Sequence, residues 1–176
     1  MKAVIFDMDG VIINSEPLHH KVEREIVEEL GGKLSDEEVA SFVGTTDYNM
    51  WSKIKKKFNL ELSVEELIEM KKERFMKEID EIQLVPNFID FMLSLYKKGY
   101  LMAIASSNNR KIVDTIVNKF QLYKYMKFII SGEEVKRSKP DPEIFLTAAK
   151  KMNVTPSDCI VIEDATNGVK AAKAAG

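Results

Sequence analysis

One cysteine, Cys159, among 176 residues excludes an internal disulfide and points to a reducing compartment, so a cytoplasmic location is the expectation. No apolar run approaches the roughly 18 residues that a membrane span needs. The opening stretch Met1–Phe6 meets Asp7 too soon for a signal peptide. With 26 Lys+Arg against 28 Asp+Glu, the formal charge of −2 gives no polyelectrolyte reason to expect nucleic acid or an anionic membrane as partner. Eight glycines and five prolines leave little room for low complexity. What is plentiful is core material: 45% of residues are apolar beside 31% charged, which suits a globular fold under a solvated surface.

Short apolar runs alternate with helical patterns. Ala3–Phe6, Leu101–Ala105, Phe128–Ile130 and Cys159–Ile162 are rich in Val, Ile and Ala, lack polar alternation, and end abruptly in polar residues. Such runs suit parallel strands buried on both faces. Helical periodicity over Asn87–Lys98, Asn109–Phe120 and Pro142–Met152 separates them, which predicts an α/β fold built on a doubly wound parallel sheet. Residues 15–82 have another texture. Pro17–Leu30 stops at Gly31-Gly32, Ser35 with Glu38 and Ser63 with Glu66 have capping-box spacing, and Asp47–Phe58 and Val64–Asp80 complete a four-helix block. The block follows the first strand directly. It therefore reads as an insertion, with residues 1–14 and 83–176 forming the α/β core and short hinges at the junctions.

Ligands of open α/β sheets sit at the carboxyl ends of the strands. There the sequence places Asp7 and Asp9, then Ser106, then Glu163 and Asp164. Lys139 joins from the loop before a helix begun by Asp141-Pro142. Acidic side chains gathered at one sheet edge repel unless a cation or a lysine balances them. Carboxylate oxygens without nearby cysteine or histidine favour Mg²⁺ over zinc. Mg²⁺, a lysine and a serine hydroxyl together describe a place for a phosphate. Taken singly, Asp7 is also a turn former, Ser106 an N-cap, and Lys139 a solvated lysine. Gly10 permits a tight turn, and Gly168 either spares the site a Cβ or marks a plain turn. Lys55-Lys56-Lys57 suits a helix C-terminus, Trp51 reads as core, and Cys159, in a buried run, reads as inert. His19 and His20 do not share a helix face and make no zinc pair.

Asp7-Met8-Asp9-Gly10-Val11, Ser106, Lys139-Pro140 and Glu163-Asp164 resemble, in order, spacing and strand context, the four motifs of the haloacid dehalogenase-like phosphotransferases. The helical insertion resembles the small cap of the branch that holds β-phosphoglucomutase and phosphoglycolate phosphatase. The resemblance implies Asp7 as nucleophile and Asp9 as acid/base, with its backbone carbonyl on Mg²⁺. Ser106, the Ser107 amide and the Asn108 side chain would hold phosphoryl oxygens, and Lys139 would balance charge. Asp164 would be a Mg²⁺ ligand alongside Asp7, with Glu163 either a ligand or a partner of one. His19 matches the cap-side histidine of that branch, although an ordinary surface histidine remains the alternative. Gly44 fits the loop Phe42–Asp47 that dips toward the site.

Sugar phosphomutases carry a lysine and an arginine where Val43 and Asp47 stand here, and Lys71 aligns loosely with another cap lysine of that group. A carboxylate opposes a second phosphate, so the expectation is a Mg²⁺-dependent phosphatase of a small phosphorylated metabolite, with a phosphomutase as the alternative. A receiver-like phospho-acceptor or a binding-only relative is the alternative of another class. A monomer is expected. Related proteins continue past Gly176 into a further strand and helix, so a truncated or short form is expected, with the fourth strand at an exposed sheet edge.

Overall fold

A computed structural model describes residues 2–42 and 45–176. The chain divides into two compact units, one made of Met1–Asn14 and Gln83–Gly176, the other of Ser15–Ile82. In chain order the elements are β1 (Ala3–Phe6), β2 (Ile13–Asn14), α1 (Glu16–Glu29), α2 (Asp36–Ser41), α3 (Asp47–Phe58), α4 (Val64–Lys77) and β3 (Gln83–Leu84). They continue with α5 (Phe88–Lys97), β4 (Leu101–Ala105), α6 (Arg110–Lys119), β5 (Phe128–Ile130), α7 (Glu143–Lys151), β6 (Cys159–Ile162) and α8 (Thr166–Ala175).

The first unit is a four-stranded parallel sheet in the order β5-β4-β1-β6. Two-residue alternation along β1 sends Ala3 and Ile5 to one face and Val4 and Phe6 to the other. On the first face Ala3, Ile5, Ala103, Ala105 and Ile130 pack with Ile144, Phe145 and Ala148 of α7 and Ala171 of α8. The alanines let those helices lie close to the sheet. On the second face Phe6 meets Phe88 and Phe91 of α5 edge-on, with ring centroids 5.6 and 6.1 Å apart. Helices thus cover both faces, as the alternation of elements predicts. Truncating Phe6, which is fully buried, to alanine would cost about 3–5 kcal/mol.

Burial on both faces holds throughout β1 and over most of β4, but not at the edges. Phe128 and Ile129 of β5 are half-buried, and Ile160 of β6 is 46% exposed. An edge strand has a neighbour on one side only, and its outer residues gain less cover. Cys159 is accordingly half-buried rather than buried, and burial together with Asp158 raises its thiol pKa. The expected hinges are β2 and β3, which pair antiparallel with Ile13 opposite Leu84 and Asn14 opposite Gln83.

In the second unit both capping boxes form. Ser35 accepts from the Glu38 amide and Ser63 from the Glu66 amide, while each glutamate reaches back to the serine amide. Helix α4 ends at Lys77, earlier than the pattern suggests, and one 3-10 turn at Ile79–Glu81 follows. Trp51, Ile54 and Leu67 are fully buried core residues of this unit. Among the described residues no helix is long and apolar enough to cross a membrane.

Candidate active site

The carboxyl ends of β1, β4, β5 and β6 share one edge of the sheet, and the loops leaving them carry the polar residues singled out above. Asp7 follows β1 directly; its amide donates to the Ile162 carbonyl of β6 at 3.0 Å, which locks the two strand ends together. The chain then turns sharply: the Gly10 amide donates to the Ile13 carbonyl at 2.8 Å, and Gly10 has φ +71°. Gly10 is also a clearance. A Cβ there would lie 1.9 Å from Asp164 Oδ2, so only glycine lets Asp164 occupy its place.

Lys139 reaches in from the loop before α7. Its Nζ lies 2.5 Å from Asp7 Oδ1 and 2.8 Å from Glu163 Oε1, with all three side chains less than one-tenth exposed. The ammonium also stands 4.9 Å above the Phe145 ring, which adds a cation–π contact. Glu163 uses its other oxygen, Oε2, to accept the Ala165 amide at 2.6 Å, at the start of α8. Gly168, in the first turn of that helix, leaves Glu163 its space, since a Cβ would sit 1.6 Å from Oε1.

Ser106 is fully buried after β4, and its amide donates to the Ile130 carbonyl of β5 at 3.0 Å. It does not cap α6; Asn109 does, accepting the Ile112 amide at 3.0 Å. Ser106 Oγ instead accepts the Asn108 amide at 3.1 Å, and Asn108 Nδ2 donates to Asp9 Oδ2 at 2.6 Å. Asn108 therefore links the β4 loop to Asp9. Two residues that the sequence did not assign to the site support it, Gly132 at this loop and Phe145 beneath Lys139. Gly132 donates its amide to the Asn108 carbonyl at 2.9 Å, and a Cβ on it would come within 2.3 Å of the Ser107 carbonyl oxygen. Phe145 supplies the ring beneath Lys139. The signal for Gly132 was the Ser-Gly break after the third strand; nothing in the sequence singled out Phe145 from other core aromatics.

Asp7, Glu163 and Asp164 each offer a carboxylate oxygen within 4.8 Å of the others. Burial pushes the Asp7 pKa up to about 7, against the pull of Lys139 and with added repulsion from Asp9 and Glu163. Asp164 is raised as well, first by burial and then by Glu163 and Asp9. Carboxylates whose charged form burial and like-charged neighbours disfavour are suited to a hard divalent cation, and an all-oxygen set fits Mg²⁺. The carboxylate of Asp9 is outside this trio.

Of the residues expected to bind substrate from the helical unit, His19 stacks on Phe75 with ring centroids 4.4 Å apart and 17° between planes. It is half-buried there. Lys71 is buried, with Nζ 2.7 Å from Glu23 Oε1 and 2.6 Å from Asp47 Oδ1. Its charge is already taken up by two carboxylates. Gly44 and Val43 lie outside the described residues.

Acidic groups, a buried lysine and a buried serine at the carboxyl edge of a doubly wound parallel sheet define an α/β enzyme equipped for phosphate chemistry. The chain belongs to the haloacid dehalogenase-like hydrolases, whose family model matches residues 4–176. It is 32% identical over 180 residues to a phosphorylated carbohydrates phosphatase of Thermotoga maritima, covering 100% of this chain and 82% of that one. Among solved structures it resembles a HAD hydrolase, family IA, variant 3, of Entamoeba histolytica, with TM-score 0.86, 30% identity, and coverage of 100% and 81%. A β-phosphoglucomutase of Clostridium difficile is also similar, with TM-score 0.77, 27% identity, and coverage of 99% and 81%.

Proposed function

We propose that the protein is a Mg²⁺-dependent phosphatase of phosphorylated carbohydrates that works through an aspartyl-phosphate on Asp7. The observation that carries this reading is the Asp7–Lys139–Glu163 arrangement: a buried carboxylate held by one ammonium, with Ser106 on the neighbouring strand end. Lys139 fixes Oδ1 of Asp7 and leaves Oδ2 as the attacking atom. In the first step a bond forms between Asp7 Oδ2 and phosphorus while the phosphorus–ester oxygen bond breaks. Asp9, oriented by the Asn108 hydrogen bond, gives its proton to the departing oxygen. In the second step Asp9 takes a proton from water, which attacks phosphorus and releases phosphate and free Asp7. Ser106, the Ser107 amide and the Asn108 side chain would hold the phosphoryl oxygens, and Lys139 would offset their charge. Asp7 and Asp164, with the backbone carbonyl of Asp9, would hold Mg²⁺. The ion would supply positive charge beside the transferring group. The helical unit would serve as the cap, with His19 among its substrate-binding residues.

The likeness to a phosphorylated carbohydrates phosphatase supports the substrate class, and the ion-paired state of Lys71 disfavours a mutase, which must grip a second phosphate. Asp7→Asn keeps the shape but weakens the nucleophile, so phosphate release from sugar phosphates should fall by at least about a thousandfold. Hydrolysis by that variant at the unaltered rate would refute the mechanism. Conversion of β-glucose 1-phosphate to glucose 6-phosphate in the presence of its bisphosphate, without net phosphate release, would establish the mutase instead.

A further inference from the structure

We propose that Glu143, the first residue of α7, is a positioning residue that sets the place of the Lys139 ammonium against Asp7 by holding the loop that carries it. The proposal rests on the phosphatase reading above, in which Lys139 offsets charge at the reacting centre, and adds a residue that acts through that lysine.

A glutamate in the first turn of a helix ordinarily complements the helix dipole or caps the helix's own amides. The carboxylate of Glu143 reaches back along the chain instead. Its Oε1 accepts the Lys136 amide at 3.1 Å and its Oε2 accepts the Arg137 amide at 3.1 Å. The Glu143 amide is served by another residue, Asp141, whose Oδ1 accepts it at 3.0 Å. The Lys136 amide first, and then Arg137, hold the Glu143 carboxyl below its ordinary value against partial burial. It is therefore ionised at neutral pH, with both oxygens accepting. The Arg137 side chain also pairs with Asp141 and Glu143, but it is 71% exposed, so those ion pairs add little. The two amide bonds are the tether.

What they close is the loop from residue 136 to 143. Inside it the Asp141 amide donates to the Ser138 carbonyl at 3.0 Å, which makes a turn with Lys139 and Pro140 at its centre. Pro140 and Pro142 have fixed φ, so few backbone torsions of the loop stay free once both ends are held. From this turn Lys139 extends to place Nζ 2.5 Å from Asp7 Oδ1 and 2.8 Å from Glu163 Oε1. Phe145, two residues along α7 from Glu143, carries the ring 4.9 Å from that Nζ. Helix α7 thus supplies both the tether of Lys139 and the floor under its ammonium. A lysine ammonium rides on a flexible four-carbon stem, so it is placed only as well as the backbone at its root. Glu163 fixes the far end of the side chain, and Glu143 fixes the root.

The test uses the full chain with Mg²⁺ and two esters, fructose 1-phosphate and p-nitrophenyl phosphate. Glu143→Gln keeps the shape but offers one acceptor oxygen in place of two, so one loop amide loses its partner. For both esters kcat should fall about tenfold while KM stays within about twofold, the pattern of an interaction felt in the transition state. Ile144→Val is the structural control, since it loosens the buried face of the same helix and touches no loop amide. It should lower the melting temperature by a few degrees, as Glu143→Gln does, and keep kcat within about twofold. A double-mutant cycle with Lys139→Met tests the route: in that background Glu143→Gln should change kcat by less than about twofold. An unchanged kcat in Glu143→Gln, an equal loss in Ile144→Val, or a further tenfold fall on top of Lys139→Met would overturn the proposal. The same cycle read by denaturant midpoints needs no turnover. The shift caused by Glu143→Gln should shrink by about half or more in the Lys139→Met background, and equal shifts in both backgrounds would overturn the proposal. A wild-type chain that releases phosphate from neither ester overturns the phosphatase reading instead, and the midpoint cycle then still decides whether Glu143 acts through Lys139.

Discussion

Gly132→Ala is the sharpest perturbation the site offers, because it adds one methyl group and touches no proposed reactive atom. The new Cβ would fall 2.3 Å from the Ser107 carbonyl oxygen and 2.9 Å from its carbonyl carbon. Carbon–oxygen contacts in proteins settle at about 3.3–3.6 Å, so the two loops must part by roughly 1 Å. Neither partner is the mobile end of a side chain; both are backbone. The separation falls on the Gly132 amide to Asn108 carbonyl bond of 2.9 Å, which would stretch beyond hydrogen-bonding distance. Asn108 then carries the displacement to Asp9 through its 2.6 Å side-chain bond, and Ser106 loses the Asn108 amide that fixes its hydroxyl. Overpacking of this kind costs about 1–3 kcal/mol in stability. A misplacement near 1 Å at a reacting centre costs about a hundredfold in rate. The expected result is a folded protein with a melting temperature lower by several degrees and kcat for sugar phosphates down by about a hundredfold. Far-ultraviolet circular dichroism with temperature gives the first quantity and time-resolved phosphate release the second. A variant with unchanged kcat would refute the claim that Gly132 sets the position of the Ser106–Asn108 loop.

Two further outcomes follow from the charges. Asp7 keeps a proton up to about pH 7 in the folded, metal-free chain, while an unfolded aspartate gives it up near its ordinary value of 3.8. The folded state therefore binds more protons between those values, and stability must fall as pH rises through that window, by up to about 4 kcal/mol. Mg²⁺ should raise the melting temperature clearly at pH 8 and little at pH 5; equal shifts at both would contradict the assignment. Lys139→Met removes the ammonium that two buried carboxylates share, so stability at pH 8 should drop by about 3–5 kcal/mol and activity by at least a hundredfold. Denaturant melts would check the first, and an undiminished midpoint would show that the lysine is not balancing Asp7 and Glu163.

Much of this was legible because strand ends are chemically loud. Asp7, Ser106, Lys139 and Glu163-Asp164 stand where apolar runs break, and the capping boxes at Ser35 and Ser63 are written in local spacing. Local chemistry dictated those features, and the structure reproduces the helix starts to within a residue or so. What the sequence hid depends on contacts between distant segments. Gly132 reads as a turn until its neighbour at Ser107 is known, and Phe145 is one aromatic among many until Lys139 stands over it. Lys71 aligns only loosely with a cap lysine because its helix is lysine-rich; its pairing with Glu23 and Asp47, on two other helices, is not written in local sequence. Cys159 reads as buried within its apolar run, yet it is half-buried because β6 lies at the sheet edge, as was expected of the fourth strand.

Glu163 is where the two readings of an acidic pair separate. Both of its oxygens are engaged, Oε1 by Lys139 at 2.8 Å and Oε2 by the Ala165 amide at 2.6 Å. Asp164, by contrast, lies in the space that Gly10 clears and has its pKa raised by burial and by the neighbouring carboxylates, which is the condition of a group awaiting a cation. Under the proposed function Asp164 would hold Mg²⁺ and Glu163 would hold Lys139 against Asp7. Asp164→Asn should then raise the Mg²⁺ concentration for half-maximal activity by at least about tenfold, as removal of a ligand does. Glu163→Gln should leave that concentration within about threefold while lowering kcat, because an amide positions the lysine less firmly than a carboxylate. Magnesium activation curves for the two variants, measured at saturating substrate, discriminate between the roles. Should Glu163→Gln shift the curve as far as Asp164→Asn does, Glu163 is itself a metal ligand, and its bond to Lys139 is a feature of the metal-free state alone.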